Sequence, residues 1–107
     1  MLQYARRAQA FAAGYTFDLF MADAKTQAAC LHSVRTVGEA ASQIPPTFRK
    51  AHPEIPWKEV IGVRQKMTHG YDDIDWDVVW KIIVRDLPAL ESLLVDILSK
   101  LMGGQQF

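Results

Sequence analysis

Seven large apolar residues recur along the last third of the chain at alternating steps of three and four residues. The series runs Trp80, Ile83, Leu87, Leu90, Leu94, Ile97 and Leu101. This spacing places them on one face of an α-helix, and its heptad form is typical of helices that pack against other helices. A helix over residues 76–101 would be about 39 Å long at 1.5 Å per residue. Pro88 lies inside it, so we expect a kink rather than a break.

The first part of the chain also predicts helices. An alanine- and arginine-rich stretch over residues 2–13 favours helix, and Thr16 is a candidate cap for a helical turn over residues 17–20. A longer helix is predicted over residues 25–43, because one of its faces collects small and apolar residues. That face contains Ala28, Leu31, Val34, Gly38, Ala41 and Ile44.

Two prolines at residues 45–46 end this second long helix, since proline cannot donate the backbone hydrogen bond. Residues 47–52 predict a short helical turn. A third long helix is expected to begin near Pro56 and to continue to the aspartates of residues 72–75. Asp75 is a candidate cap for the last helix.

Four principal helices, short connections and a long heptad face indicate an all-α fold, an antiparallel four- to five-helix bundle with a kinked long C-terminal helix. The length of 107 residues predicts a single helical domain over residues 1–107, with the last few residues as a flexible tail.

Composition restricts the functional classes. Twelve basic and twelve acidic residues cancel, which excludes a uniformly basic nucleic-acid-binding coat but not a local basic cleft. A single cysteine, Cys30, cannot form an intramolecular disulfide, which fits a reducing cytoplasm. No apolar stretch approaches the roughly 18 residues of a membrane span. We therefore expect a cytoplasmic protein without a membrane segment.

The segment 63-VRQKMTHGYDD-73 carries the candidate chemistry. On a continuous helix, Arg64 and Tyr71 would lie almost in line, whereas Gln65 and His69 would fan out beside them. Arg64 and His69 would be too far apart around one helix to meet. They would, however, both line a cleft that a second copy of the chain closes.

This residue set suits a phosphodiester. Arginine offers a forked donor geometry that matches phosphate oxygens, and histidine exchanges protons near neutral pH. The three histidines lie on separate elements without paired cysteines, so no metal site is predicted. An arginine and a histidine five residues apart also occur by chance, and the acids of residues 72–77 suit turns and caps. The residues alone predict only a helical bundle with a polar wall.

Several stretches together resemble HEPN domains of the HepT type, the ribonuclease toxins of MNT–HEPN toxin–antitoxin modules. These are the R-x4-H-x-Y arrangement of Arg64, His69 and Tyr71, with 38-GEAA-41, 55-IPWKEVIGVR-64 and 75-DWDVVWKIIVRDLPAL-90. The resemblance extends from the first helix to about Leu98. Gln65 departs from the family, which has asparagine after the arginine, and its longer arm changes the reach of that amide.

The resemblance implies a metal-independent endoribonuclease without cofactors. Arg64 and His69 would be catalytic, Gln65 and Glu39 supporting, and two copies would form a homodimer around a shared RNA cleft. A nucleotidyltransferase antitoxin would silence the enzyme by transferring AMP onto Tyr71. Two alternatives stay open: a non-catalytic HEPN subunit that binds nucleotide or the transferase, and a dimeric adaptor bundle.

Overall fold

Helices form most of the structure, a computed structural model that describes residues 1–68 and 73–103. In this part of the chain they are α1 (Leu2–Ala12), α2 (Phe17–Met21), α3 (Ala24–Ser42), α4 (Pro46–Ala51), α5 (Trp57–Ile61), α6 (Val63–Lys66), α7 (Trp76–Lys81), a π-helical turn (Ile82–Asp86) and α8 (Leu87–Gly103). The predicted all-α bundle is therefore confirmed. Within the described residues, none of the helices has the length and apolar character needed to cross a bilayer.

Helix α1 packs against α3 through an alanine face, whose small side chains allow a close approach. Its buried residues are Ala5, Ala8 and Ala12. The ring of Tyr4 contacts His32 edge-on, at 6.3 Å between ring centroids. Four residues later, the Ala8 carbonyl accepts a hydrogen bond from the Cys30 thiol at 3.7 Å. Residues further along α1 therefore contact residues nearer the start of α3, so the two helices are antiparallel.

The heptad residues of the last helix form the centre of the core. Ile83, Leu87, Leu90, Leu94 and Ile97 are all buried. Trp80 is half-buried against Phe20 of α2, at 5.0 Å between ring centroids. Leu101, at 51% exposure, is the one member that does not join the core. The heptad face therefore packs inside the protomer.

Pro88 disturbs the C-terminal helix as expected, and the disturbance lies in the helical turn that precedes the proline. The Leu87 amide donates to the Ile82 carbonyl, five residues back, instead of four. Pro88 has no N–H to continue the ordinary pattern, so the widened turn over Ile82–Asp86 accommodates the missing donor. Such a π-helical turn is one of the recognised causes of a helix kink.

The predicted caps are confirmed. The Thr16 hydroxyl accepts from the Leu19 amide at 3.2 Å, and the Asp75 carboxylate accepts from the Val78 amide at 3.2 Å. Each satisfies one of the backbone donors that a helix start leaves unpaired.

A third cap, Asp23, begins α3. Its carboxylate accepts hydrogen bonds from the Tyr15 hydroxyl at 2.6 Å and from the Thr26 amide at 3.0 Å. The Tyr15 hydrogen bond, followed by those of Thr26, lowers the pKa of Asp23 to about 2.

The third long helix is not continuous, and this prediction was wrong. Helix α5 ends at Ile61, Gly62 departs from helical geometry with ψ of 7°, and α6 ends at Lys66. Thr68 then pairs with Ile74 in an isolated antiparallel bridge. The Asp75 amide donates to the Met67 carbonyl at 2.8 Å, and the Thr68 hydroxyl donates to the Arg64 carbonyl at 3.3 Å. These bonds replace the helical ladder after Lys66.

Gly38 brings α3 against the connection between α5 and α6. A methyl group at Gly38 would come within 2.8 Å of Val63 Cγ1 and 3.1 Å of the Val60 carbonyl oxygen. Only glycine permits this approach. Val34 and Ala41 on the same predicted face are buried, whereas Ala28 is exposed near the start of the helix. The glycine of the 38-GEAA-41 stretch therefore has a packing function.

We expect Gly38→Ala to destabilise the protein despite the better helix propensity of alanine. The propensity gain is about 1 kcal/mol, whereas overpacking costs about 1–3 kcal/mol, and stiff Val63 and the Val60 backbone yield little. Denaturant unfolding should show a lower free energy of unfolding for the variant. In a Val63→Ala background the same substitution should cost less, because the clashing methyl group is gone. A stabilised Gly38→Ala protein would contradict the close-approach account.

Candidate functional site

Helix α6 presents two of the candidate site residues to solvent. Arg64 and Gln65 are both exposed, whereas Val63 before them and Met67 after them are buried in the core. Among the described residues, no carboxylate lies within ion-pairing distance of the Arg64 guanidinium. The buried pair fixes α6, and the arginine keeps its charge available for an anionic ligand.

Glu39 lies on α3, next to the contact between Gly38 and Val63. Its side chain is exposed, and its carbonyl accepts from the Ser42 hydroxyl at 2.6 Å. The tight Gly38 contact brings this turn of α3 against the residue that precedes Arg64. Glu39 thus belongs to the same region of the surface as α6, although among the described residues its carboxylate makes no ion pair with Arg64.

His69 and Tyr71 lie outside the described residues. The helix that carries Arg64 ends at Lys66, so the predicted continuous helix is interrupted before these two residues, and their positions relative to Arg64 stay a prediction. The prediction that Arg64 and His69 do not meet within one protomer assumed a continuous helix, whereas α6 ends at Lys66. What the structure does describe is the two ends of this segment, where Thr68 pairs with Ile74.

A basic groove of about 670 Å³ extends from Gln65 towards α4. It is lined by Pro46, Arg49, Lys50, Trp57, Lys58, Ile61, Gly62 and Gln65, with no acidic residue among them. Lys50 and Lys58 are exposed, and Arg49 is half-buried. The Arg49 Nε is covered and has no hydrogen-bond partner within the described residues. Sequence reasoning passes over these cations because they form no motif; the signal was the local run Arg49-Lys50 followed by Lys58.

An aromatic cluster holds the two walls of this groove together. The Trp57 indole N–H donates to the His52 carbonyl at 2.9 Å, which ties α5 to the end of α4. The Phe48 ring packs on His52 at 4.4 Å between centroids and meets Trp57 edge-on at 6.5 Å. Trp57 is thus a structural residue, and it positions the cations of α4 and α5 relative to each other.

Other candidate centres are weaker. Cys30 is fully buried, and burial raises the pKa of its thiol to about 11, so it is not a nucleophile. Within residues 1–68 and 73–103, no three His, Cys, Asp or Glu side chains gather as metal ligands would. An apolar cavity of about 290 Å³ lies between α3, α5 and the π-helical turn. On its rim, Lys66 and Asp86 are 4.0 Å apart, an exposed pair that contributes little stability.

Comparison with known proteins assigns the chain to one family. The model of the family described as "Ribonuclease HepT-like" matches residues 1–97, which include Glu39, Arg64, Gln65, His69 and Tyr71. No solved structure is significantly similar to the chain.

Curated relatives agree with this match. A protein named a probable ribonuclease HepT, from Thermococcus cleftensis, is 41% identical over 76 residues, covering 71% of this chain and 69% of the relative. A candidate RNase from Caldanaerobacter subterraneus is 34% identical over 87 residues, covering 81% and 78%. Another from Methanocaldococcus jannaschii is 35% identical over 86 residues, covering 77% and 71%. The chain therefore belongs to the HepT-like ribonuclease family.

Proposed function

We propose that this protein is a metal-independent endoribonuclease in which Arg64 and His69 act on the scissile phosphodiester. The observation that carries the proposal is the family match over residues 1–97, which contains the whole R-x4-H-x-Y arrangement. The Arg64 guanidinium on α6 supports it, because this group is exposed and has no carboxylate partner among residues 1–68 and 73–103, so it can bind a phosphate.

The chemistry follows from the two side chains. The 2′-hydroxyl of RNA attacks the adjacent phosphorus and loses its proton, and the bond to the 5′-oxygen breaks as that oxygen gains a proton. His69 serves this proton transfer, since an imidazole exchanges protons near neutral pH. Arg64 stabilises the negative charge of the phosphorane. Gln65 and Glu39 support the arrangement from α6 and α3.

A homodimer around a shared cleft is part of the proposal. The buried heptad face offers no support for it, because its residues pack inside the protomer. A different face of α8 does, since it leaves large apolar side chains in solvent. These are Val95, Leu98 and Met102, each at least 40% exposed. An exposed apolar stripe of this kind marks a protein-interaction surface.

Control by a nucleotidyltransferase antitoxin completes the proposal. Transfer of AMP from ATP onto the Tyr71 hydroxyl forms a phosphodiester to tyrosine and releases pyrophosphate. The adduct adds one negative charge and a nucleoside two residues from His69. An anion there competes with an RNA phosphate for Arg64. The protein and its antitoxin would act together in a prokaryotic cytoplasm.

We expect Arg64→Ala and His69→Ala each to reduce RNA cleavage by about 10²–10⁴-fold, the usual contribution of such groups. Circular dichroism should show an unchanged helical fold. Arg7→Ala and His32→Ala are matched controls on exposed positions of α1 and α3, and they should cleave normally. Cleavage should persist in EDTA. A wild-type protein that cleaves no RNA would favour the non-catalytic alternative, and loss of activity in EDTA with recovery in Mg²⁺ would contradict metal independence.

Leu98→Glu should convert the dimer into a monomer, because it places a charge in the apolar stripe of α8. A stable interface buries at least about 1,000 Å², and a buried unpaired charge at its centre weakens it strongly. Sedimentation velocity measures the change, and Leu19→Glu on α2 is the matched control, since Leu19 is exposed on another helix. A wild-type protein that sediments as a monomer at micromolar concentration would refute the dimer.

Tyr71→Phe should escape modification, since it lacks the accepting hydroxyl. The purified protein is incubated with the proposed nucleotidyltransferase antitoxin, ATP and Mg²⁺, and its intact mass is measured. Wild type and Tyr4→Phe should gain the mass of AMP, and Tyr71→Phe should gain none while it remains an active ribonuclease. An adduct mapped to Tyr4 or Tyr15 would refute the assignment.

A further inference from the structure

We propose that the basic groove between α4 and α5 is the path of the RNA strand as it leaves the active site, with Arg49, Lys50 and Lys58 binding successive phosphates. This inference rests on the proposed ribonuclease function and names positioning residues outside the R-x4-H-x-Y arrangement. Gln65, the neighbour of Arg64, is one of the residues that line the groove, so a strand held at Arg64 lies next to it.

The charges of the groove are unbalanced within the protein. Several cations elsewhere on the surface have a carboxylate partner: Arg6 lies 3.0 Å from Glu91, and Lys100 lies 3.1 Å from Asp96. Among the described residues, Arg49, Lys50 and Lys58 have no such partner. Three uncompensated cations that line one groove repel each other, and a polyanion relieves that repulsion.

The shape of the groove favours a nucleic-acid strand over an acidic protein. The groove is open to solvent, its lining combines the three cations with Trp57 and Ile61, and Gln65 of the candidate catalytic helix also lines it. A single strand of RNA presents phosphates in sequence along such a channel, and cationic grooves that follow the backbone are a common form of single-strand binding. The contacts would be to phosphates, so they would set affinity and position without reading the base sequence.

The aromatic cluster explains why these cations can act as positioning residues. Phe48 and Trp57 pack together and the Trp57 indole is hydrogen-bonded to the His52 carbonyl, so α4 and α5 hold a fixed separation. Arg49 is half-buried beside this cluster, which restricts its guanidinium. Cations that are held in place before RNA arrives lose less conformational freedom on binding.

The test compares two double variants that each remove two exposed lysine charges. Lys50→Gln/Lys58→Gln removes groove cations, and Lys25→Gln/Lys81→Gln removes exposed cations outside the groove. Binding of a 2′-O-methyl RNA, which lacks the attacking hydroxyl, is measured by fluorescence anisotropy from 0.05 to 0.5 M salt in steps of about 0.1 M, the range over which phosphate contacts dominate. Cleavable RNA then gives kcat and KM.

For the groove variant, the plot of the logarithm of the RNA-binding constant against the logarithm of the salt concentration should be less steep by about 1.4. Each phosphate contact on a single strand contributes about 0.7 to this steepness, and the variant loses two such contacts. At about 0.1 M salt this slope difference corresponds to roughly 25-fold weaker binding. KM should rise by a similar factor with kcat kept, and the control variant should match wild type.

Equal slopes and KM values for the two variants, with wild type still cleaving, would overturn the groove assignment alone. If the two variants have equal slopes and KM values but the groove variant no longer co-purifies with an acidic protein, the groove binds that protein. This result would also overturn the assignment of the groove to RNA. A wild type that cleaves no RNA would overturn the ribonuclease proposal and this inference together.

Discussion

The close approach of Gly38 to Val63 and the Val60 carbonyl is the contact on which the candidate site depends. It sets α3 against the connection between α5 and α6, and it leaves Val63 and Met67 in the core. Because those two residues are buried, the residues between them face solvent, and Arg64 and Gln65 occupy those positions. The placement of the arginine is therefore a consequence of backbone packing that a side chain at Gly38 would prevent.

Short-range sequence patterns correctly predicted the features that depend on residues close together in the sequence. The heptad series gave the buried face of the last helix, and short-range chemistry gave the caps at Thr16 and Asp75. The end of α6 at Lys66 could not be found in this way. It depends on the pairing of Thr68 with Ile74, which competes with an amphipathic pattern that continues along the sequence. The π-helical turn could not be predicted either. The position of Pro88 indicates where the helix is disturbed, but it does not indicate which hydrogen-bond pattern accommodates the proline.

The candidate site was only partly accessible from sequence. Arg64 and Gln65 belong to a recognisable motif, and the structure presents both to solvent. The groove cations carry no motif, and they become a group only when the Phe48 and Trp57 contact brings α4 beside α5. A net charge of zero conceals this arrangement, because ion pairs such as Arg6 with Glu91 neutralise other surfaces while the groove keeps its charge. Binding of a polyanion requires local charge rather than an overall excess.

The most direct test of the account is to locate RNA on the wild-type protein. Photocross-linking of a 2′-O-methyl RNA that carries 4-thiouridine, followed by peptide mapping, identifies the residues in contact with the strand. We expect cross-links in α4, α5 and α6, at residues 46–66, and in the segment that contains His69. Cross-links concentrated on α1 or on the exposed face of α8, with none between residues 46 and 69, would contradict it.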